Sequence, residues 1–101
     1  MSQTLSPQEC RTMAEVRDGV DAVDRELVAL LGRRFGYMRA AARIKAERGH
    51  VRDETRKALV IANAAALGER HAVPRPIVER LWDHLVEESI AYELDRFDEK
   101  G

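Results

Sequence analysis

The stretch from Thr12 to about Arg48 contains no proline, and apolar residues recur along it at helical spacing. These residues are Met13, Val16, Val20, Val23, Leu27, Leu30 and Leu31. A helix of about 36 residues is roughly 54 Å long at ~1.5 Å per residue, whereas a compact domain of ~100 residues has a radius of gyration near 13 Å. Because the remaining chain is too short to cover such a helix, its apolar face predicts a second chain.

Two capping patterns precede this long helix. The sequence "SPQE" predicts an N-cap at Ser6 with Glu9 reaching back to it, and "TMAE" repeats the pattern with Thr12 and Glu15. We expect the second pattern to start the main helix. Residues 1–11 are then a lead-in at a fraying end of the chain.

Two further helices follow the first. Gly49 breaks the long helix, and Asp53 is a suitable N-cap for a second helix that runs toward Gly68. Pro74 and Pro76 open a third helix, "IVERLWDHLVEESIAYELDRF". No strand-type alternation is present. We therefore predict an all-α fold of three helices per chain.

Length and charge narrow the class of protein. The chain has 101 residues, which fits one domain spanning residues 1–101, and its aromatic content of 5% is typical of helical proteins rather than sheet proteins. The formal net charge is −1, and no basic face continues along a helix. This balance argues against nucleic-acid binding and against attraction to an anionic membrane.

No residue pattern predicts a metal or a cofactor. Cys10 is the only cysteine, and His50, His71 and His84 are isolated in the sequence. No apolar run approaches the ~20 residues needed to cross a bilayer, and the N-terminus lacks the basic and apolar regions of a secretory signal. We expect a cytoplasmic protein that uses neither metal nor cofactor.

Two cations interrupt the apolar face of the first helix. Spacings of four, three and four put one set of residues on that face: Arg34, Met38, Ala41 and Lys45. The cations either snorkel to water, form a buried ion pair with Glu93 or another carboxylate, or hold a small anionic ligand. Arg17 lies about 260° round the helix from Arg34 at ~100° per residue, so any site that it serves most simply belongs to the neighbouring chain.

The third helix repeats this pattern. A hydroxyl and a carboxyl follow two apolar residues at the same spacing: Trp82, Val86, Ser89 and Glu93. Arg52, Arg56 and Lys57 lie at the start of the second helix, where free backbone N–H groups and the helix dipole favour anions. A solvated cluster of charges is the alternative for this group, above all for Lys57.

Together, "EVRDGVDAVDRELVALLGRRFGYMRAAARIK", "VRDETRK" and "LWDHLVEESIAYE" resemble the all-helical class of chorismate mutases. They resemble most the short subgroup that includes the isochorismate pyruvate lyases. The resemblance runs from about Cys10 to Phe97, and its motifs are R-x₃-D-x₂-D, a later Arg, a Lys eleven residues on, and VRD-x₂-R. It implies an intertwined helical-bundle homodimer, with the long first helices paired across the two-fold axis and two equivalent sites inside the bundle.

The resemblance also implies site residues at the matching positions. Arg34, and Arg17 from the partner chain, would bind the two carboxylates of chorismate. Lys45 would donate to the ether oxygen of the breaking bond. Glu93 would be the second donor to that oxygen, at a position where family members carry Gln or Glu.

Three further positions belong to this implied site. Arg56 and the region of Asp53 would close it, and Ser89 would lie near a carboxylate or the ring. Lys57 departs from the family pattern, because many members carry a Glu there that contacts the ring hydroxyl. This departure leaves the identity of the substrate open.

The implied reaction is the Claisen rearrangement of chorismate to prephenate in aromatic amino acid biosynthesis, which needs no nucleophile, metal or cofactor. An ionised carboxylate only accepts hydrogen bonds, so Glu93 would assist only when protonated, and activity would decline as the pH rises. The alternatives are an isochorismate pyruvate lyase that forms salicylate, a mutase of a 4-amino chorismate analogue, and a catalytically inactive regulatory dimer.

Overall fold

The computed structural model describes residues 4–100, and all regular structure in that range is helical. Its three helices are α1 (Met13–Ile44), α2 (Glu54–Arg70) and α3 (Arg75–Glu99). Two 3₁₀ turns accompany them, at Pro7–Glu9 and Arg48–His50. The prediction of an all-α fold with three helices, the first of them very long, is confirmed.

Both predicted start signals form as hydrogen-bonded caps. The Glu9 carboxylate accepts from the backbone N of Ser6 at 3.1 Å and from its hydroxyl at 2.8 Å. The Glu15 carboxylate accepts from the backbone N of Thr12 at 2.9 Å, and the Thr12 hydroxyl accepts from the backbone N of Glu15 at 3.2 Å. In the second box two orphan donors are satisfied reciprocally, so α1 begins where the sequence predicts. The first three residues of the predicted lead-in lie outside the described range.

Helix α1 ends at Ile44, about one turn before the predicted end near Arg48. Lys45 still donates its backbone N–H to the carbonyl of Ala41 at 2.9 Å. The chain then leaves the helix, and a 3₁₀ turn forms around Gly49. Lys45 therefore follows the last turn of α1 rather than lying inside a longer helix, and the carbonyls of that turn are available to a side chain from elsewhere.

Residue contacts divide the chain between Gly36 and Tyr37 into two units. The first unit holds the lead-in turn and α1 as far as Gly36. Its large apolar side chains are exposed in the single chain: Met13, Val16, Val20, Val23, Leu27, Val28, Leu30 and Leu31. The apolar face predicted from spacing is present, and it is exposed in the part of this unit that the structure describes.

The second unit contains the end of α1, the 3₁₀ turn, α2 and α3. Asp53 caps α2 as predicted, since its carboxylate accepts from the backbone N of Arg56 at 2.9 Å. At the other end of α2, the carbonyl of Gly68 accepts from His71 and Val73, and Ala72 takes a left-handed φ of 60°. This turn reverses the chain so that α3 packs against α2.

Two apolar clusters hold α2 and α3 together. One forms around Val51, Val86 and Ile90, with Val60, Ile61, Leu94 and Phe97 packed against it. The other joins Ala64 and Ala65 to Val78 and Trp82. The apolar members predicted for α3 are thus buried or half-buried. Helical spacing also predicts an apolar face of α2 with Leu59, Ala62 and Ala66. This face is exposed in the single chain, because α2 meets α3 through its small Ala64 and Ala65 side chains. Within residues 4–100, no helix is long and apolar enough to cross a membrane.

Candidate functional site

Lys45 and Glu93 form a partly buried ion pair in the second unit. Lys45 Nζ lies 2.7 Å from Glu93 Oε2. The Glu93 side chain is 6% exposed and the Lys45 side chain 30% exposed. The pair therefore has a buried anionic end and a cationic end that reaches the surface. Among the interpretations open from the sequence, the structure has the ion pair between these two residues.

Ser89 lies one helical turn before Glu93 on α3 and is also buried. Its hydroxyl donates to the carbonyl of Leu85 at 2.7 Å, which is a common way for a serine inside a helix to be satisfied. Ser89 and Glu93 share a buried side of α3 with Val86. The polar pattern predicted on α3 thus faces inward, at the edge of the cluster around Val51.

Asp53 and Arg56 lie at the start of α2, and both are exposed. The Asp53 carboxylate is occupied as the helix cap. The structure therefore assigns a local structural role to Asp53 and leaves the Arg56 guanidinium at the surface, close to the N-terminus of α2.

The basic residues beside them pair with α3. Glu87 accepts from Arg52 Nη2 at 2.7 Å and from Lys57 Nζ at 2.7 Å. Lys57 also lies 3.1 Å from Asp83, and its side chain is only 18% exposed. Two hydrogen bonds, the larger effect from Arg52 and the smaller from Lys57, lower the pKa of Glu87 from 4.5 to about 2. Hydrogen bonds to Glu87 and Asp83 raise the pKa of Lys57.

In this cluster Lys57 has a structural role that the sequence did not predict. The sequence suggested a solvated charge, whereas the ammonium joins the start of α2 to α3. Glu87 was not singled out from the sequence, although Asp83 and Glu87 stand four apart on α3 and present two carboxylates to a basic helix start. That i, i+4 spacing was the available signal.

Arg17 and Arg34 belong to the first unit. Arg34 is half-buried on α1 and Arg17 is exposed. The second unit brings Lys45 together with Glu93 and places Ser89 on the same buried side of α3. It also joins Asp53 to Arg56 through the helix cap. The structure adds a contact to this region that the sequence did not predict: Lys100 Nζ lies 2.6 Å from the carbonyl oxygen of Lys45. The two residues are 55 positions apart, and no motif connects them.

The pair and its surroundings are suited to an oxygen-rich ligand. Lys45 supplies an ammonium donor, and Glu93 supplies a carboxyl that accepts when ionised and donates when protonated. Burial of the Glu93 side strengthens electrostatic interactions there relative to water. In the described part of the chain, no three His, Cys, Asp or Glu side chains cluster in a way that could hold a metal ion.

Comparison with known proteins gives two matches. The sequence model of the family described as chorismate mutase type II matches residues 16–94. A protein of Pseudomonas aeruginosa named isochorismate pyruvate lyase is 30% identical to the chain over 89 residues, which is 88% of each sequence. The matched region includes α2 and all but the last turn of α3, and with them Lys45 and Glu93.

Proposed function

Since the chain belongs to the chorismate mutase type II family, we propose that it catalyses the Claisen rearrangement of chorismate to prephenate. The observation that carries this proposal is the pair of Lys45 and Glu93, held 2.7 Å apart at the edge of the α2–α3 core. A cation and a carboxyl in contact are the two donors that the resemblance implies for the ether oxygen of the breaking bond.

Each residue has a distinct part in the proposed reaction. One C–O bond breaks as one C–C bond forms, and negative charge develops on the ether oxygen. Lys45 donates to that oxygen, and Glu93 donates to it when protonated. Arg34, and Arg17 from a partner chain, bind the two carboxylates and hold the enolpyruvyl arm over the ring, which reduces the entropy cost of the cyclic transition state.

The remaining predicted residues act around the substrate. Ser89 contributes a hydroxyl near a carboxylate or the ring. Arg56 closes the site at the start of α2, which Asp53 holds as a helix cap. These assignments rest on the family pattern, and the buried position of Ser89 supports the first of them.

The proposal includes a homodimer. Eight large apolar residues in the part of α1 that belongs to the first unit are exposed in the single chain: Met13, Val16, Val20, Val23, Leu27, Val28, Leu30 and Leu31. A continuous apolar face of this kind is typical of an interface. Pairing of two such helices would bury it and would bring Arg17 to the site of the other chain. Sedimentation or light scattering that gives a monomer at assay concentration would remove this part of the proposal.

A second candidate function is pyruvate release from isochorismate. Two observations favour it. The relative with 30% identity is named an isochorismate pyruvate lyase. In addition, Lys57 replaces the Glu that many family members direct at the ring hydroxyl, and its ammonium is held by Asp83 and Glu87. A chain without that carboxylate has lost one means of recognising the hydroxyl of chorismate.

The deciding experiment offers both substrates to the purified protein. Loss of chorismate is followed in the ultraviolet, and pyruvate release from isochorismate is followed by a coupled assay. Lys45→Met should lower kcat by ~10²–10³, the usual effect of removing one donor to a developing oxyanion. Arg75→Met is the control, because Arg75 pairs with Glu69 at the surface and lies outside the proposed site.

The outcomes separate the candidates. Conversion of chorismate to prephenate that is lost only in the Lys45 variant supports the mutase. Pyruvate from isochorismate, with chorismate untouched, assigns the lyase instead. If neither substrate reacts, both assignments fail.

The pH profile tests the part played by Glu93. Because a carboxylate cannot donate whereas an amide donates at every pH, the rate constant of the wild type should fall more steeply with rising pH than that of Glu93→Gln. Parallel pH profiles of the two proteins would contradict the donor role.

A further inference from the structure

The side chain of Lys100 closes the end of α1. Its ammonium lies 2.8 Å from the carbonyl oxygen of Ala42, 3.4 Å from that of Arg43 and 2.6 Å from that of Lys45. Three acceptors match the three hydrogens of an ammonium group. The stem of Lys100 rises from α3, and its Nζ stands 4.3 Å from the centre of the Phe97 ring.

Two features explain why a cation is stable at this point. The last carbonyls of a helix have no partner within the helix, and the helix dipole places partial negative charge there. The Lys100 ammonium donates to these carbonyls and places positive charge at the negative end of the dipole. Phe97 packs against the cluster of Val51, Val86 and Ile90, so the Lys100 ammonium lies beside a ring that belongs to the core of the second unit.

A second contact joins the same two segments. Arg48 Nε lies 2.9 Å from Asp98 Oδ1, and Arg48 Nη2 lies 3.4 Å from Asp98 Oδ2. Both side chains are about half exposed, so this pair alone contributes little to stability. It does fix the chain three residues beyond Lys45 to the last turn of α3. Contacts from α3 therefore hold the chain at Lys45 and just after it.

We propose that Lys100, assisted by Asp98, is a positioning residue that fixes the backbone of Lys45 so that its ammonium meets Glu93. Lys45 follows the last residue of α1, and the carbonyl of Ala41 holds its backbone N–H at 2.9 Å. The carbonyl of Lys45 is bound by Lys100, and the side chain of Lys45 reaches Glu93, about two turns before Lys100 on α3. The catalytic consequence of this arrangement rests on the function proposed above.

The test uses three variants of the full chain. Lys100→Met removes the ammonium and keeps an apolar stem beside Phe97. Lys100→Arg restores a cation that can donate to carbonyls. Glu99→Gln is the matched control, because Glu99 is the neighbouring charged residue and its ion pair is with Arg96 on its own helix.

The first readout is backbone amide hydrogen exchange of residues 43–51, measured without any substrate. Lys100→Met should speed exchange in this segment roughly fivefold, the factor expected from removing a cation at a helix C-terminus. Glu99→Gln should leave the segment unchanged, and Lys100→Arg should restore most of the protection. Equal exchange in Lys100→Met and Glu99→Gln would overturn the proposal.

The second readout is the split between kcat and KM, on whichever substrate the wild-type protein converts, well below the melting temperature of each variant. Misplacing one catalytic donor by a fraction of an ångström should lower kcat about tenfold with a smaller change in KM. Lys100→Arg should recover kcat. Faster exchange with unchanged kcat would show that Lys100 caps α1 without positioning Lys45, and would overturn the proposal.

The two readouts keep this inference separate from the proposed function. If the wild-type protein converts neither chorismate nor isochorismate, the proposed function fails. The exchange comparison still decides whether Lys100 holds the Lys45 segment: protection that depends on the ammonium supports the positioning role, and protection that does not contradicts it.

Discussion

Replacing Lys45 by Met should destabilise the unliganded protein by about 2 kcal/mol at neutral pH. Removing one partner of a fully buried ion pair costs ~3–5 kcal/mol, because the other charge is left buried. Here the Glu93 side chain is 6% exposed, so its carboxylate has little access to water. The Lys45 side is 30% exposed, so water can partly replace the ammonium, and the cost moves toward the ~1.5–3 kcal/mol of a hydrogen bond to a charged group. For a chain of this size the melting temperature should fall by about 10 °C.

The assay is thermal unfolding followed by circular dichroism, at one fixed protein concentration because association changes apparent stability. Arg75→Met supplies the comparison with an exposed pair of similar length: Arg75 Nη1 lies 2.6 Å from Glu69 Oε1, with side chains 45% and 58% exposed. That variant should change stability by less than about 1 kcal/mol.

A double variant isolates the buried charge. Lys45→Met combined with Glu93→Met removes both charges, and an apolar replacement of a buried pair is often neutral or stabilising. The double variant should therefore be more stable than Lys45→Met alone. The reasoning is refuted if Lys45→Met is no more destabilising than Arg75→Met, or if the second substitution lowers stability further.

Three other expectations concern stability. The pKa of Glu87 is lowered from 4.5 to about 2, so its contribution to stability is complete above pH 4.5 and is lost as the pH falls toward 2. The free energy of unfolding in urea should therefore change less between pH 6 and pH 2.5 for Glu87→Gln than for the wild type or for the control Glu88→Gln. Gly68→Ala would bring a Cβ within 2.5 Å of Val78 Cγ2, a stiff β-branched side chain, and should cost ~1–3 kcal/mol by denaturant titration. Ala72 has a φ of 60°, so Ala72→Gly should raise the melting temperature, by relief of ~1 kcal/mol of backbone strain; an unchanged value would show that the turn carries no strain.

Local signals made most of the fold predictable. The capping boxes at Ser6 and Thr12, the N-cap at Asp53 and the prolines at the start of α3 are properties of a few adjacent residues, and each lies at a helix start as expected. The end of α1 could not be placed in the same way. The helix stops at Ile44 although no proline or glycine requires it there.

The candidate site was only partly readable from the sequence, for the same reason. Periodicity placed Ser89 and Glu93 on one side of α3, and both are buried there. It could not choose between snorkelling, an ion pair and ligand binding for Lys45, because that choice depends on which residue of α3 faces the end of α1. Contacts at large sequence separation, such as Lys57 with Glu87, involve no motif and appear only once α2 and α3 are packed.

The stability of the protein with and without the Lys45–Glu93 ion pair indicates whether the pair is present for function. If two apolar residues of similar size can replace the pair without loss, stability alone gives no reason for a carboxylate to be 94% buried beside the core cluster of Val86 and Ile90. A role in catalysis, as proposed above, then accounts for the two charges. We therefore expect the Lys45→Met, Glu93→Met double variant to be as stable as the wild type and unable to convert either substrate. A double variant that is stable and active would separate the pair from catalysis altogether, and would leave Arg34 and Arg17 to account for binding on their own.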